Sequence, residues 1–86
     1  MRIIWDDSAW RDYVAWQGAD RKLTARINRL IQEAMRDPGV GVGKPERLKG
    51  ELSGWWSRRI TDEHRLVYRT TAESIEIASC RYHYGE

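Results

Sequence analysis

WWSRRITDEHRLVYRTTAESIEIASCR, residues 55–81, contains three runs rich in branched and aromatic side chains, at positions 55–60, 65–70 and 74–81. This composition is typical of β-strands. The polar segments 61–64 and 71–73 separate the runs and predict turns. Because such short turns join antiparallel neighbours, the segment predicts a three-stranded meander.

A first helix is predicted upstream of the meander. Residues 2–5 form a short β-prone run, after which Asp6, Asp7 and Ser8 offer N-caps for a helix that ends near Gly18. Three apolar residues of this helix follow the i, i+3, i+4 spacing, namely Trp10, Tyr13 and Val14. This spacing predicts that they form the buried face of the helix. Trp5, Trp10 and Trp16 are accordingly expected in the core.

A second helix follows, with Asp20 as its predicted N-cap. One apolar stripe runs along it, formed by Leu23, Ile27, Leu30, Ile31 and Ala34. The sequence Asp37-Pro38-Gly39 ends the helix. Basic residues occupy the opposite side, so this helix is expected to pack its stripe on the sheet.

The segment 39–54 is rich in glycine and proline and predicts a long connection, with Leu48 and Leu52 as apolar anchors. A loop of this length in so small a domain suggests a function. The element order is therefore β-α-α-β-β-β. It predicts an α+β fold in which two N-terminal helices pack on one face of a single antiparallel sheet and leave the other face partly open.

Length and composition limit the class of protein. The 86 residues, 41% of them hydrophobic, support one domain over 1–86. No apolar run approaches the roughly 18 residues that a membrane span needs, and the start of the chain does not resemble a signal peptide, so a cytoplasmic protein without membrane association is expected. The single cysteine, Cys80, cannot form an internal disulfide and is expected in the core.

The charge distribution says more than the net charge of +2. Up to Pro38 there are seven Lys and Arg residues against six Asp and Glu, whereas residues 44–69 carry seven against four. The second half of the chain is therefore expected to present a basic surface, which suits a polyanionic partner.

Several residues of this basic half could support RNA cleavage. Such cleavage needs a base for the 2′-hydroxyl, a cation for the charged phosphorane and an acid for the leaving 5′-oxygen. Glu46, Arg65 and His83 are candidates for these three roles, in that order. Further phosphate contacts are available from Lys49, Arg58 and Arg59.

Each candidate also has a structural reading. Glu46 could be a solvated loop carboxylate, and Arg58-Arg59 a charge pair that protects an edge strand from aggregation. His64 is expected to be a turn residue. A metal site built on His64 and His83 is disfavoured, because the spacing matches no metal-binding motif and a second thiol is lacking. Neither a metal nor another cofactor is expected.

Several linked motifs closely resemble the YoeB/Txe toxins, which belong to the RelE-like superfamily. The resemblance runs from Arg2 to Tyr84. It is carried by Lys44-Pro45-Glu46, Leu48-Lys49-Gly50, Leu52-Ser53-Gly54, Trp56-Ser57-Arg58-Arg59-Ile60, His64-Arg65-Leu66-Val67-Tyr68 and Arg81-Tyr82-His83-Tyr84.

The resemblance implies a microbial-RNase-like fold and a ribosome-dependent endoribonuclease that cuts mRNA in the ribosomal A site and halts translation. It implies that Glu46 is the general base, His83 the general acid and Arg65 the transition-state cation, while Tyr84 orients or stacks the substrate. The remaining positions that match substrate contacts are Lys49 and Arg59.

The resemblance also implies partners. These are a cognate antitoxin of the YefM/Axe type, the 70S ribosome with its mRNA, and a second copy in a homodimer. An alternative remains at this point, namely a non-catalytic interaction protein on the same scaffold, as in ParE-like relatives that block DNA gyrase, or a plain RNA-binding module.

Overall fold

A computed structural model describes residues 1–82 of the chain. Its elements are β1 (Arg2–Trp5), α1 (Asp7–Ala19), α2 (Arg21–Arg36), β2 (Glu46–Arg47), a 3₁₀ turn (Gly50–Leu52), β3 (Trp56–Arg59), β4 (Arg65–Thr70) and β5 (Ser74–Ser79). The predicted α+β class, with two helices followed by a meander, is confirmed. Within residues 1–82 no helix is both long enough and apolar enough to cross a membrane.

The sheet differs from the prediction in the direction of one strand. Its order is β1-β5-β4-β3-β2, and β1 pairs with β5 in parallel, so the sheet is mixed and not wholly antiparallel. The two helices lie between β1 and the meander and carry the chain across the sheet, as a parallel pairing requires. Local turn signals report only on neighbouring strands, which is why they could not predict this pairing.

A second difference concerns the predicted connection 39–54, which contains strand β2. Glu46 pairs with Ser57 and Arg47 with Trp56 across an antiparallel ladder. The amide of Leu48 extends this pairing by donating to the carbonyl oxygen of Trp55 (3.0 Å). Glu46 therefore lies on an edge strand and not in a loop, and the buried side chain of Leu48 anchors this edge as predicted.

The core lies between α2 and the sheet. The predicted apolar stripe of α2 is buried, and it meets side chains from β4 and β5 that are also fully buried, namely Leu66, Tyr68, Ile75 and Ile77. Cys80 belongs to this core, as expected. Because α2 packs on β4 and β5, the face of the sheet that it covers is the inner face.

Helix α1 turns a different side inward from the one predicted. Ala9 is fully buried and Tyr13 and Trp16 pack against the core, whereas Trp10 and Val14 are each 47% exposed. The expectation that Trp10 lies in the core is therefore wrong. Its ring instead contacts Trp5 and Tyr13, with centroids 5.7 and 5.9 Å away, because the path of α1 over the sheet favours positions 9, 13 and 16.

Strand β5 contains an irregularity that changes which residues face inward. Tyr68 pairs with Ile77 while Val67 pairs with Ser79, so Ala78 is an extra residue in the ladder. Such a β-bulge reverses the alternation of side chains beyond it. This reversal places Cys80 in the core although Ile75 and Ile77 are odd-numbered, and the strand ends at Ser79, before the predicted end at Arg81.

Candidate active site

The strand register brings Glu46 and Arg65 to one face of the sheet. Leu66 and Tyr68 face the helices, so the alternation of side chains turns Arg65 and Val67 to the opposite side. Residues paired across strands share a face, and Val67 pairs with Ser57, which pairs with Glu46. We call this side the distal face, defined by Glu46, Ser57, Arg59, Arg65 and Val67.

Arg59 belongs to the distal face through its own pairing. It lies opposite Arg65 at the end of the β3–β4 ladder, and its side chain is exposed. Two further bonds fix its backbone: its amide donates to Gly43 (2.7 Å), and Arg26 donates to its carbonyl oxygen (3.0 Å). The register of β3 and β4 therefore shows that Arg59 and Arg65 share a face, which the sequence alone cannot determine.

The side chain of Arg65 is held rigidly next to the turn 61–64. Arg65 is 8% exposed, and its Nη1 donates to the carbonyl oxygens of Thr61 (2.6 Å), Asp62 (3.2 Å) and His64 (3.0 Å). Charged donors make the stronger class of hydrogen bond. All three bonds use the same nitrogen, so the guanidinium is anchored at one corner of its planar fork.

Lys49 and Glu46 line the same part of the surface. Both line a shallow depression beside β2, together with Arg47 and Leu48. Lys49 is exposed and directly precedes the 3₁₀ turn. The depression at this edge of the sheet is therefore lined by residues of both charges.

Arg58 does not serve as a phosphate contact or as an edge-strand charge. It is completely buried on the inner face, where its guanidinium donates to Tyr68 Oη (2.8 Å). Its other nitrogens donate to carbonyl oxygens of the segment after α2, namely those of Asp37 (2.7 Å), Val40 (2.8 Å) and Val42 (2.9 Å). Both sequence readings of Arg58 are therefore wrong, because this arginine ties the segment 37–42 to the sheet.

The Tyr68 hydroxyl completes this buried network. Burial raises the pKa of Tyr68 above its usual 10.0, and the nearby Arg58 guanidinium offsets the effect only in part. The hydroxyl therefore stays protonated and donates to the carbonyl oxygen of Pro38 (2.5 Å) while it accepts from Arg58. These bonds satisfy the buried polar groups, as a stable interior requires.

His64 is more than the turn residue that the sequence suggested. It is 8% exposed, and its ring lies against Trp16 of α1, with centroids 5.0 Å apart. Its Nδ1 accepts a hydrogen bond from the backbone amide of Tyr82 (2.8 Å). No sequence pattern indicates this contact, because the two residues are 18 positions apart and belong to different irregular segments.

His83 and Tyr84, the predicted acid and substrate-orienting residue, lie outside the described residues. The structure describes the chain as far as Tyr82, whose carbonyl oxygen accepts a hydrogen bond from the backbone amide of Arg65 (3.1 Å). The residue that precedes His83 is therefore bonded to the residue that carries the candidate cation.

Among residues 1–82, no group of three or more His, Cys, Asp or Glu side chains is arranged to hold a metal ion. The distal face carries one carboxylate, from Glu46, and two guanidinium groups, from Arg59 and Arg65. Carboxylates can accept protons, and guanidinium groups can bind phosphate oxygens.

Comparison with known proteins identifies the family. A profile of the YoeB-like toxin of bacterial type II toxin-antitoxin system matches residues 5–84. The toxin YoeB of Streptomyces coelicolor is 60% identical over 84 residues, which cover 98% of this chain and 100% of the relative. A solved YoeB/ParE toxin from Agrobacterium tumefaciens superimposes with a TM-score of 0.93 at 49% identity, covering 98% of this chain and 100% of that one.

Two solved structures of Staphylococcus aureus YoeB are also similar. A YoeB dimer superimposes with a TM-score of 0.91 at 45% identity, and a YoeB-YefM complex with a TM-score of 0.91 at 44% identity. Each alignment covers 98% of this chain and 98% of that one. The resemblance predicted from the motifs is thereby confirmed, and the chain belongs to the YoeB-like toxins of bacterial type II toxin-antitoxin systems.

Proposed function

We propose that this toxin is a ribosome-dependent endoribonuclease that cleaves mRNA in the ribosomal A site and thereby inhibits translation. The observation that carries the proposal is the grouping of Glu46, Arg59 and Arg65 on the distal face, with the chain that leads into His83 bonded to Arg65. A face that carries one carboxylate and two guanidinium groups suits a phosphodiester substrate better than a neutral one.

The proposed reaction is an in-line attack within the RNA. Glu46 removes the proton of the 2′-hydroxyl, and the 2′-oxygen forms a bond to phosphorus. Arg65 stabilises the extra negative charge of the phosphorane. His83 gives a proton to the 5′-oxygen as its bond to phosphorus breaks, which leaves a 2′,3′-cyclic phosphate and a free 5′-hydroxyl. This residue set supplies a base, a cation and an acid without requiring a metal.

The contacts of Arg65 support its role as the cation. A guanidinium carries five N–H donors in a fixed fork, so anchoring it through Nη1 is compatible with a phosphate contact through its other donors. The anchoring also removes the rotamer freedom that a solvated arginine would lose on binding. Lys49 and Arg59 are exposed and would hold neighbouring phosphates, while Tyr84 would stack on a base or orient it.

Dependence on the ribosome follows from the shallow site. Free mRNA is flexible, and in-line attack requires the 2′-oxygen, the phosphorus and the 5′-oxygen to be aligned. Alignment of reacting groups is worth about 7–11 kcal/mol in favourable cases. A ribosome that holds the A-site codon would supply much of this alignment, and the enzyme would supply the acid–base groups.

Two protein partners are proposed from the relatives. The Staphylococcus aureus YoeB forms a complex with YefM and also occurs as a dimer. We infer that this toxin likewise binds a cognate antitoxin of the YefM/Axe type and forms a homodimer. An antitoxin that covers or distorts the catalytic site would keep the toxin silent until the antitoxin is lost.

Cleavage in a reconstituted translation system tests the proposal. Primer extension on a defined mRNA should show new RNA ends in the A-site codon with the wild-type protein, and few ends on the same mRNA without ribosomes. Glu46→Gln and His83→Ala should each reduce cleavage by about 100-fold or more, since general acid–base groups contribute roughly 10²–10⁴-fold. Both variants keep the size of the side chain or shorten it, so circular dichroism can verify that they fold.

Two outcomes would contradict the proposal. Translation arrest without new RNA ends would favour a non-catalytic toxin or an RNA-binding module. Stabilised breaks in gyrase-bound DNA, with translation unaffected, would favour the ParE-like alternative.

A further inference from the structure

We propose that His64 is a positioning residue of the catalytic site, which latches the backbone of Tyr82 and so directs the chain into His83 and Tyr84. This inference rests on the proposed ribonuclease function. Its physical basis is a pair of hydrogen bonds that two consecutive residues make with the backbone of Tyr82: the side-chain Nδ1 of His64 accepts from the Tyr82 amide (2.8 Å), and the backbone amide of Arg65 donates to the Tyr82 carbonyl oxygen (3.1 Å). We call this pair of bonds the His64 latch.

Tyr82 has an unfavourable backbone conformation that the latch can stabilise. Tyr82 has a φ of 60°, in the left-handed region that is strained for a residue other than glycine. Its side chain is 54% exposed, so burial of the ring does not account for this backbone conformation. The two hydrogen bonds to residues 64 and 65 hold it, and its ring contacts the imidazole, with centroids 5.4 Å apart, and the Arg81 guanidinium, 4.9 Å from the ring centroid.

The chain before Tyr82 is also fixed, but by helix α1. Trp16 Nε1 donates to the carbonyl oxygen of Cys80 (3.2 Å), and Arg81 lies 3.7 Å from the carboxylate of Asp12. The Arg81 guanidinium also lies over the Trp16 ring. Segment 80–82 is therefore held from α1 at its beginning and from the 61–65 turn at its end, and the latch holds the residue that directly precedes the proposed acid.

The hydrogen bond specifies one protonation state of the imidazole. A nitrogen that accepts from an amide carries no proton, so Nδ1 is unprotonated and, in the neutral ring, Nε2 carries the hydrogen. Nε2 lies 3.4 Å from a carboxylate oxygen of Glu63, which favours this tautomer. Two aromatic rings also face the imidazole, those of Trp16 and Tyr82.

The same turn joins the latch to the candidate cation. Arg65 Nη1 donates to the carbonyl oxygen of His64, so the guanidinium and the imidazole are set by one short piece of backbone. A displacement of about 1 Å in a reacting group can reduce a rate by about 100-fold. A residue that fixes the approach to His83 relative to Arg65 would therefore act on the rate of cleavage and not on binding.

Two substitutions separate the latch from simple packing. In His64→Asn the side-chain oxygen falls near the position of Nδ1 and can still accept from the Tyr82 amide, whereas His64→Leu keeps the apolar volume and removes the acceptor. With excess toxin and programmed ribosomes, we expect His64→Leu to lower the maximal cleavage rate by about 100-fold while the concentration for half-maximal cleavage stays the same. The maximal cleavage rate of His64→Asn should be at least tenfold higher than that of His64→Leu.

Amide hydrogen exchange of Tyr82, measured by NMR on the full chain, gives a readout that does not depend on activity. The Tyr82 amide should exchange slowly in the wild type and in His64→Asn, and fast in His64→Leu. In the wild type, a scalar coupling between the Tyr82 nitrogen and His64 Nδ1 should report the bond directly. Thermal unfolding shows whether each variant is folded in the cleavage assay, and measuring below the melting point of the less stable variant keeps the comparison valid.

The outcomes distinguish the two proposals. If the wild type cuts no RNA on ribosomes, the proposed function fails. If the wild type cuts and His64→Leu cuts equally well with its Tyr82 amide released, or if His64→Asn loses as much activity as His64→Leu with its Tyr82 amide still protected, only the His64 inference fails.

Discussion

Cys80 is the residue whose environment most clearly sets a pH dependence. Its side chain is fully buried, and its thiol donates to the carbonyl oxygen of Ala9 across 3.5 Å. Burial, with a smaller contribution from the Asp12 carboxylate, raises the pKa of the thiol from 9.0 to about 12. Above pH 9 the unfolded chain loses a proton that the folded protein keeps, so the free energy of unfolding falls as the pH rises.

A comparison of the wild type with Cys80→Ala measures this effect. Between about pH 8 and about pH 10, ionisation of the thiol in the unfolded chain should lower the free energy of unfolding of the wild type by on the order of 1 kcal/mol. Cys80→Ala has no thiol and should not show this loss. Urea denaturation at both pH values should therefore show that the stability advantage of the wild type shrinks by this amount. The contribution of Tyr68 to the pH dependence is the same in both proteins, so it does not affect the difference between them. An unchanged difference would mean that the folded thiol ionises as readily as an exposed one.

At the same scale, the sequence indicated which side chains could bind phosphate, but it did not predict which of them are buried. Arg58 and Arg59 are adjacent and chemically identical, and the sequence offered phosphate contact for both. Burial separates them, because the alternation along β3 sends Arg58 into a ring of backbone carbonyls and leaves Arg59 exposed. His64 was missed for a related reason, since its partner is a backbone amide and carries no side-chain signature.

At the scale of elements, periodicity decided what could be predicted. The stripe of α2 repeats over four turns and its burial was predicted correctly, since a long 3.6-residue pattern has few alternatives. Strand β2 has two residues, too few for an alternating pattern, so Glu46 was placed in a loop. The bulge at Ala78 escaped prediction because it interrupts the alternation on which strand recognition depends.

The N-terminus of α2 gives a prediction with a matched control in α1. Asp20 caps α2, and its carboxylate accepts from the Leu23 amide (3.0 Å), whereas Asp6 at the start of α1 makes no such capping bond. Asp20→Ala should therefore lower the free energy of unfolding by about 1 kcal/mol, because one amide of the first turn loses its partner. Asp6→Ala should have a smaller effect, through the helix dipole and its bond from Ser8. Equal losses in urea denaturation would contradict a specific role of the Asp20 cap.

At the scale of the whole molecule, the sheet separates stability from the proposed chemistry. The inner face packs on α2 and contains the buried Arg58–Tyr68 network, while the distal face carries Glu46, Arg59 and Arg65. The fold class and the candidate residues were predictable from the sequence. Their shared face was not, because it depends on the register of three strands, and a shift of one residue in any strand would reverse it.

Neighbouring residues on β3 test this separation, since Arg58 faces inward and Arg59 faces outward. Arg58→Lys offers one ammonium group in place of a fork that reaches four acceptors, so it should lower the free energy of unfolding by about 2–4 kcal/mol. Arg59→Ala should change it by only about 0.5 kcal/mol, as is usual for an exposed side chain. Urea denaturation of both variants measures these changes.

In the cleavage assay, Arg59→Ala should have a larger effect than Arg58→Lys. Arg59→Ala should cut programmed mRNA at least about tenfold more slowly than the wild type, because one charge-assisted phosphate contact worth roughly 1.5–3 kcal/mol is removed. Arg58→Lys should keep its activity per folded molecule when assayed well below its melting temperature. If Arg59→Ala destabilises the fold as much as Arg58→Lys does, or if Arg58→Lys loses cleavage while fully folded, the two faces do not divide stability from catalysis in this way.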